Sequence, residues 1–190
     1  MTSLFYDFSQ VNDHLFISSA RAVTVTNLQK NRITYVVNVT REIPILHIKD
    51  IQFYKIPIDD SLSANLYPYF DIVADNIFEE YKKGGKILVH CIAGASRSAT
   101  LCIVYLMKYQ KMSLKEAFHF LKSHRPVVRP NTNFFNQLVK YEEKLFGRTS
   151  VKMVEVQSLG QDCLIPDVYK EECKGYVWLA SIKNYLSGKK

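Results

Sequence analysis

Cys91 and Arg97 stand at the two ends of a short stretch of small and neutral residues, Ile92-Ala93-Gly94-Ala95-Ser96, and Ser98 follows at once. A cysteine is a strong nucleophile once it is a thiolate. A guanidinium offers a planar fork that takes two oxygens of a phosphate together. A loop that runs into a helix N-terminus turns several backbone N–H groups toward one spot, which makes an anion site. The same dipoles favour the thiolate of a cysteine at the base of the cup. Gly94 permits a bend with positive φ, and Ala93, Ala95 and Ser96 keep the rim open. Nucleophile, anion cradle and cation clamp in one segment are the parts of a thiol that attacks a phosphate ester.

The flanking residues supply the elements that such a loop needs. Lys86-Ile87-Leu88-Val89 is an apolar run that reads as a buried strand over 86–90. Ala99 to Met107 reads as a helix apolar on most faces, extending to Gln110. Upstream, 1–13 reads as an edge segment, 14–18 as a short strand, and Thr26-Asn27-Leu28-Gln29 as a capping box opening a short helix. Thr34–Thr40 and Ile51–Ile58 read as strands, with Pro44 in the loop between them. Leu66, Phe70, Val73, Ala74, Ile77, Phe78 and Tyr81 recur at helical spacing, and Gly84-Gly85 ends that helix. Ser113-Leu114-Lys115-Glu116 is a second capping box. Pro126 and Pro130 bracket an extended linker, and a last helix carries Phe134 to Phe146 before Gly147 stops it. Strands alternating with helices imply an α/β fold, a mostly parallel central sheet sandwiched by helices. The reactive loop lies past the C-terminal end of a strand, where such sheets place ligands. Residues 1–147 are expected to form this catalytic domain and 148–190 an extension packed on it, with Val151–Val156 a strand or strap and Ile165–Tyr169 a turn.

An oxygen leaving phosphorus needs a proton, so a general acid must stand over the loop on a separate segment. Asp60 is the candidate and Asp59 its rival. Both lie in the polar turn after strand 51–58, which is expected to neighbour strand 86–90.

His90-Cys91-Ile92-Ala93-Gly94-Ala95-Ser96-Arg97-Ser98 resembles the signature loop of the cysteine-dependent protein phosphatases. Val36-Val37-Asn38-Val39, Ile56-Pro57-Ile58-Asp59-Asp60, Tyr105-Leu106-Met107-Lys108 and Arg125-Pro126 through Asn131 extend the resemblance to the atypical dual-specificity phosphatases. Leu145-Phe146-Gly147, Val151–Val154 and Ile165–Tyr169 point to their subgroup with a short C-terminal extension. The resemblance implies a protein tyrosine phosphatase-like fold and hydrolysis of phosphotyrosine and phosphoserine or phosphothreonine through a phosphocysteine, with no metal or cofactor. It implies Cys91 as nucleophile, Asp60 as acid, and Arg97 with the backbone of residues 92–97 as phosphate binder. Ser98 would assist the thiolate as it leaves. Its bland alternative, a first-turn serine satisfying helix N–H groups, is compatible with that role. His90 either orients the loop and tunes Cys91 by hydrogen bonding or is a buried structural histidine. Asn131 matches an asparagine that braces the loop. Arg125 and Arg129 either meet a second phosphate or acidic side chain of a substrate or are solvated surface charges. The loop has Ala95 where many relatives carry valine, which widens the rim.

Composition limits the other readings. Apolar residues make up 47% of the 190, enough for a full core, and no stretch is long enough to span a bilayer. Met1–Leu4 lacks the build of a secretion signal, and Thr2 is not the glycine that myristoylation requires, so no membrane anchor is expected. The cysteines at 91, 102, 163 and 173 have no metal-ligand spacing and are expected to be free thiols. Cys102 reads as core, and Cys163 or Cys173 is a candidate to protect an oxidised Cys91 through a disulfide. A net charge of +7 suits phosphorylated or acidic partners, with no basic run or motif for nucleic acid. The expected partners are phosphorylated proteins, MAP kinases among the candidates. The expected compartment is the cytosol, with nuclear entry open at 22.0 kDa. Lipid and RNA phosphatases share the Cys-to-Arg frame but carry basic or polar residues inside the loop, and low-molecular-weight phosphatases place the acid after the cysteine. A phosphopeptide-binding pseudophosphatase typically lacks the nucleophile, and turnover distinguishes it.

Overall fold

The computed structural model describes residues 8–158 and 161–170. Its five-stranded sheet is built from β1 (Phe8–Gln10), β2 (Leu15–Ser19), β3 (Tyr35–Asn38), β4 (Gln52–Lys55) and β5 (Ile87–Cys91), in the spatial order β1-β2-β5-β3-β4. β1 is an antiparallel edge, and every other pairing is parallel. The mostly parallel sheet expected from the alternation is therefore present, with β5 at its centre.

Alternation along the central strands divides the interior. Leu15, Ile17, Val37, Ile87, Val89 and Cys91 face the main core, while Phe16, Val36 and Leu88 face a smaller cluster on the other side. The main core is covered by α2 (Phe70–Lys82), α3 (Arg97–Gln110), α4 (Leu114–His124) and α5 (Thr132–Phe146). The small cluster is covered by Leu28 of α1 (Val25–Lys30) and by Ile33, with Ile48 and Ile51 packed against it. α3 is buried from Arg97 to Met107, which is why its sequence is apolar on most faces.

Several local expectations shift. α1 is capped by Thr24, whose side chain accepts from the Asn27 N–H, so the box at Thr26 does not form. The Asn27 amide instead donates to the Ala22 carbonyl at 2.8 Å and ties the helix to the preceding turn. The second capping box, Ser113 with Glu116, forms in full. The strand read over 51–58 stops at Lys55, because Pro57 has no N–H for a ladder and the Ile58 N–H turns back to the Ile56 carbonyl. The helix read from Leu66 begins at Phe70 after a 3-10 turn over Tyr67–Tyr69. β4 does not neighbour β5: β3 lies between them, so the Asp60 turn reaches β5 by crossing the end of the sheet.

Beyond α5, β6 (Met153–Ser158) and β7 (Gln161–Pro166) form an antiparallel hairpin, followed by a 3-10 turn over Asp167–Tyr169. Val151, Ile165 and Tyr169 are buried in the main core. Cys173, Trp178 and the Cys163 side chain lie outside the described residues, and with them the question of a disulfide to Cys91. Among the described residues no helix is long and apolar enough to cross a membrane.

Candidate active site

β5 delivers Cys91 to the C-terminal edge of the sheet, and α3 begins at Arg97, so residues 92–96 must turn the chain within one short loop. Gly94 makes that turn at φ +67°. A Cβ there would also lie 2.6 Å from the Ser18 carbonyl group and 2.9 Å from Arg125 Nη2, so the position excludes every side chain on two counts.

The loop carbonyls explain the cup. The Ile92 carbonyl accepts from the Ala20 N–H at 3.1 Å, and the Ala95 carbonyl accepts from the Arg129 N–H at 2.8 Å. Arg125 takes the two between, donating from Nη2 to the Ala93 carbonyl at 3.0 Å and from Nε to the Gly94 carbonyl at 2.8 Å. A trans peptide sets its N–H opposite its C=O. Drawing four consecutive carbonyls outward therefore turns the N–H groups of residues 93–96 inward, over Cys91. The Gly94 N–H already reaches the Cys91 sulfur at 3.2 Å.

Cys91 is buried, and Ser98 Oγ donates to its sulfur at 3.1 Å. Two donors thus converge on this one sulfur. Ser98 thus spends its hydroxyl on the cysteine and not on the helix N-terminus. His90 points to the opposite face of the strand, its Nδ1 3.5 Å from the Cys91 carbonyl oxygen. That contact is with the backbone of the residue that carries the sulfur. Burial lowers its pKa to about 4, and the ring is neutral near neutral pH.

Arg97 is buried too. Its Nη1 donates to Glu42 Oε2 at 3.1 Å and to the Ile58 carbonyl at 3.0 Å, while Nε has no hydrogen-bond partner. Nη1 is anchored, while Nε is buried without a hydrogen bond, 3.8 Å from Asp60 Oδ2. Glu42 was not among the residues singled out from the sequence. Its signal is positional: it follows β3, the strand beside β5, so it emerges at the same sheet edge. Hydrogen bonds to its own backbone N–H and to Arg97 hold its carboxyl below the usual range.

The structure separates the two aspartates. Asp59 is half-exposed and pairs with Arg41 at 3.2 Å. Asp60 turns inward, and its Oδ1 accepts from Ser96 Oγ at 2.8 Å and from Asn131 Nδ2 at 2.7 Å. Its Oδ2 lies 3.8 Å from Arg97 Nε. Asn131 therefore braces chiefly the acid turn. It also caps α5 through Oδ1 and meets the signature loop only by its backbone N–H, at 3.0 Å from Ser96 Oγ.

Neither reading offered for Arg125 describes it. Its side chain is 1% exposed, fully inside the protein beneath the loop, with Nη1 also donating to Ser9 at 3.2 Å. A lone arginine before a proline carries no mark of this role, because the carbonyls it serves are far away in the chain. Arg129 is exposed, with its guanidinium 4.5 Å above the Tyr169 ring. Cys102 is a buried thiol within α3, and burial, with Cys91 nearby, raises its pKa. Ile92 stands out of the rim at 40% exposure, against the smaller Ala93 and Ala95.

The comparisons with known proteins agree with this geometry. A family model described as "Dual specificity phosphatase, catalytic domain" matches residues 15–144. The chain is 45% identical over 167 residues to mouse (Mus musculus) dual specificity protein phosphatase 14, covering 87% of this chain and 82% of that one. It is 42% identical over 170 residues to human (Homo sapiens) dual specificity protein phosphatase 21, covering 89% and 87%. Among solved structures, a mouse putative dual specificity phosphatase complexed with zinc tungstate superposes with a TM-score of 0.71 at 36% identity, covering 75% of this chain and 90% of that one. A cysteine over inward N–H groups, an anchored arginine, an acid on a separate turn and these matches lead to one conclusion: the chain belongs to the atypical dual-specificity protein phosphatases.

Proposed function

We propose that this protein phosphatase works through a phosphocysteine on Cys91, with Asp60 as acid and then base. The Cys91 thiolate attacks the phosphorus of a phosphorylated tyrosine, serine or threonine side chain. Its S–P bond forms as the P–O bond to the side chain breaks, and Asp60 Oδ2 gives its proton to the leaving oxygen. Arg97 and the N–H groups of residues 93–96 hold the three non-bridging oxygens. Asp60, now a carboxylate, takes a proton from the water that attacks phosphorus. The S–P bond breaks, the Ser98 hydroxyl supports the departing thiolate, and inorganic phosphate leaves.

The observation that carries this reading is the outward bonding of four consecutive loop carbonyls. It leaves four N–H groups turned toward one sulfur, in the loop that Arg97 closes. Such a cup fits a tetrahedral dianion.

The test is release of phosphate from an aryl phosphate, with chelator present, by the wild type and by Cys91→Ser. Metal-free turnover should fall by about 10³-fold or more in the variant, as for loss of a nucleophile. Equal rates in the two proteins would refute the thiol mechanism.

Proteins of MAP kinase pathways, in the cytosol and nucleus, are the phosphoprotein substrates we put forward. The family resemblance supports them, and the +7 net charge suits acidic phosphorylated segments. Stable capture of phosphorylated kinases by Cys91→Ser, displaced by a phosphate analogue, is the corresponding check.

A further inference from the structure

The turn after the C-terminal hairpin ends in a residue that reaches Pro130, beside the site. Tyr169 is fully buried, its ring 5.3 Å from Phe135 and 5.6 Å from Phe118, centroid to centroid. Its hydroxyl donates to the Pro130 carbonyl at 2.8 Å. Pro130 has no N–H of its own to tether it. The residues on either side of it hold both reactive loops. The Arg129 N–H bonds the Ala95 carbonyl, and Asn131 bonds Ser96 and Asp60.

We propose that Tyr169 is a positioning residue for Asp60, so that the C-terminal extension completes the acid half of the site. The inference rests on reading Asp60 as the general acid. The physical link is short. The Pro130 carbonyl belongs to the same peptide as the Asn131 N–H, so fixing one orients the other. Asn131 Nδ2 in turn sets Asp60 Oδ1, and through the planar carboxyl it sets Oδ2, the atom left for the proton. Acid catalysis is sensitive to such placement. The signature loop is less dependent on this link, because Arg125 and Ala20 hold three of its four outward carbonyls.

The test uses the full chain and Tyr169→Phe, which keeps the ring and its packing and removes one hydroxyl. kcat/KM is measured on phenyl phosphate, whose poor leaving group needs the acid, and on a nitrophenyl phosphate, whose phenolate leaves with little help. The expected result is a fall of about fivefold on phenyl phosphate, the rate equivalent of one net hydrogen bond. On the nitrophenyl ester the change should be under about twofold, and the inhibition constant for inorganic phosphate should hold. Asn131→Ala should show the same selectivity, and adding Tyr169→Phe to it should cost nothing further, since both act on one contact. An equal loss on both esters, no loss on either, or additive losses in the double variant would overturn the proposal. Failure of the wild type to turn over through Cys91 would instead sink the parent reading.

Discussion

Asp60 and Asp71 are both partly exposed, at 34% and 43% of their side chains, and both accept short hydrogen bonds. Their surroundings nevertheless assign them opposite work. Asp60 Oδ1 is met by neutral donors, the Ser96 hydroxyl and the Asn131 amide, while its Oδ2 lies 3.8 Å from the Arg97 guanidinium. Oδ2 makes no hydrogen bond, as the proposed acid role requires. Asp71 is met at Oδ1 by Lys108 and the Tyr141 hydroxyl, and at Oδ2 by Lys144, each at 2.7 Å. Burial pushes its pKa up, but these donors outweigh it and hold the carboxyl well below the usual range. Neutral donors on one oxygen orient the Asp60 carboxyl toward the signature loop. Cations on both oxygens turn the Asp71 carboxyl into a fixed charge that ties α2 to α3 and α5.

The largest effect that separates the two is catalytic. Asp60→Asn should lower kcat/KM on phenyl phosphate by about 10²- to 10⁴-fold, the range for removal of a general acid. The loss on a nitrophenyl ester should be smaller, and the melting temperature close to that of the wild type. Asp71→Asn should do the reverse. Turnover changes by less than about twofold, while chemical denaturation shows a loss of about 1 kcal/mol, discounted because the network is partly solvated. If Asp71→Asn reduced turnover as strongly as Asp60→Asn, the division between reactive and structural carboxyls would fail.

The smallest effect sharpens the comparison through pH. Asp71 has a folded pKa below its ordinary 3.8, so it adds stability above that value. As pH falls below 3.8 the unfolded chain takes up the proton first, and that stability drains away. The denaturation gap between wild type and Asp71→Asn should therefore be full above about pH 5 and close in stronger acid. His90, with a pKa lowered from 6.5 to about 4, destabilises the fold over that higher window as pH drops. It does so equally in both proteins, so the difference between them isolates Asp71.

Much of the site was legible because the signature loop is continuous in the chain. Cys91, Gly94, Arg97 and Ser98 meet through local geometry, strand into turn into helix, and local geometry follows from residue type and spacing. The helices from α2 to α5 were legible for the same reason, through their caps and apolar periodicity. Arg125 and Glu42 were not. Each acts on atoms that only the packing of distant segments brings near, one beneath the loop and one against the arginine. Composition marks the Asp60 turn, but the expected adjacency of its strand to β5 fails, because no residue pattern records the order of parallel strands.

The sequence alone therefore determined the loop that joins Cys91 to Arg97 and the sheet-and-helix alternation, since each is set by interactions within a few residues or one period. The tertiary structure alone decided which aspartate meets Ser96 and Arg97, which arginine holds the carbonyls and that Tyr169 reaches Pro130. Those are contacts between segments far apart in the chain, fixed only when the core closes around β5 and buried polar groups must find partners.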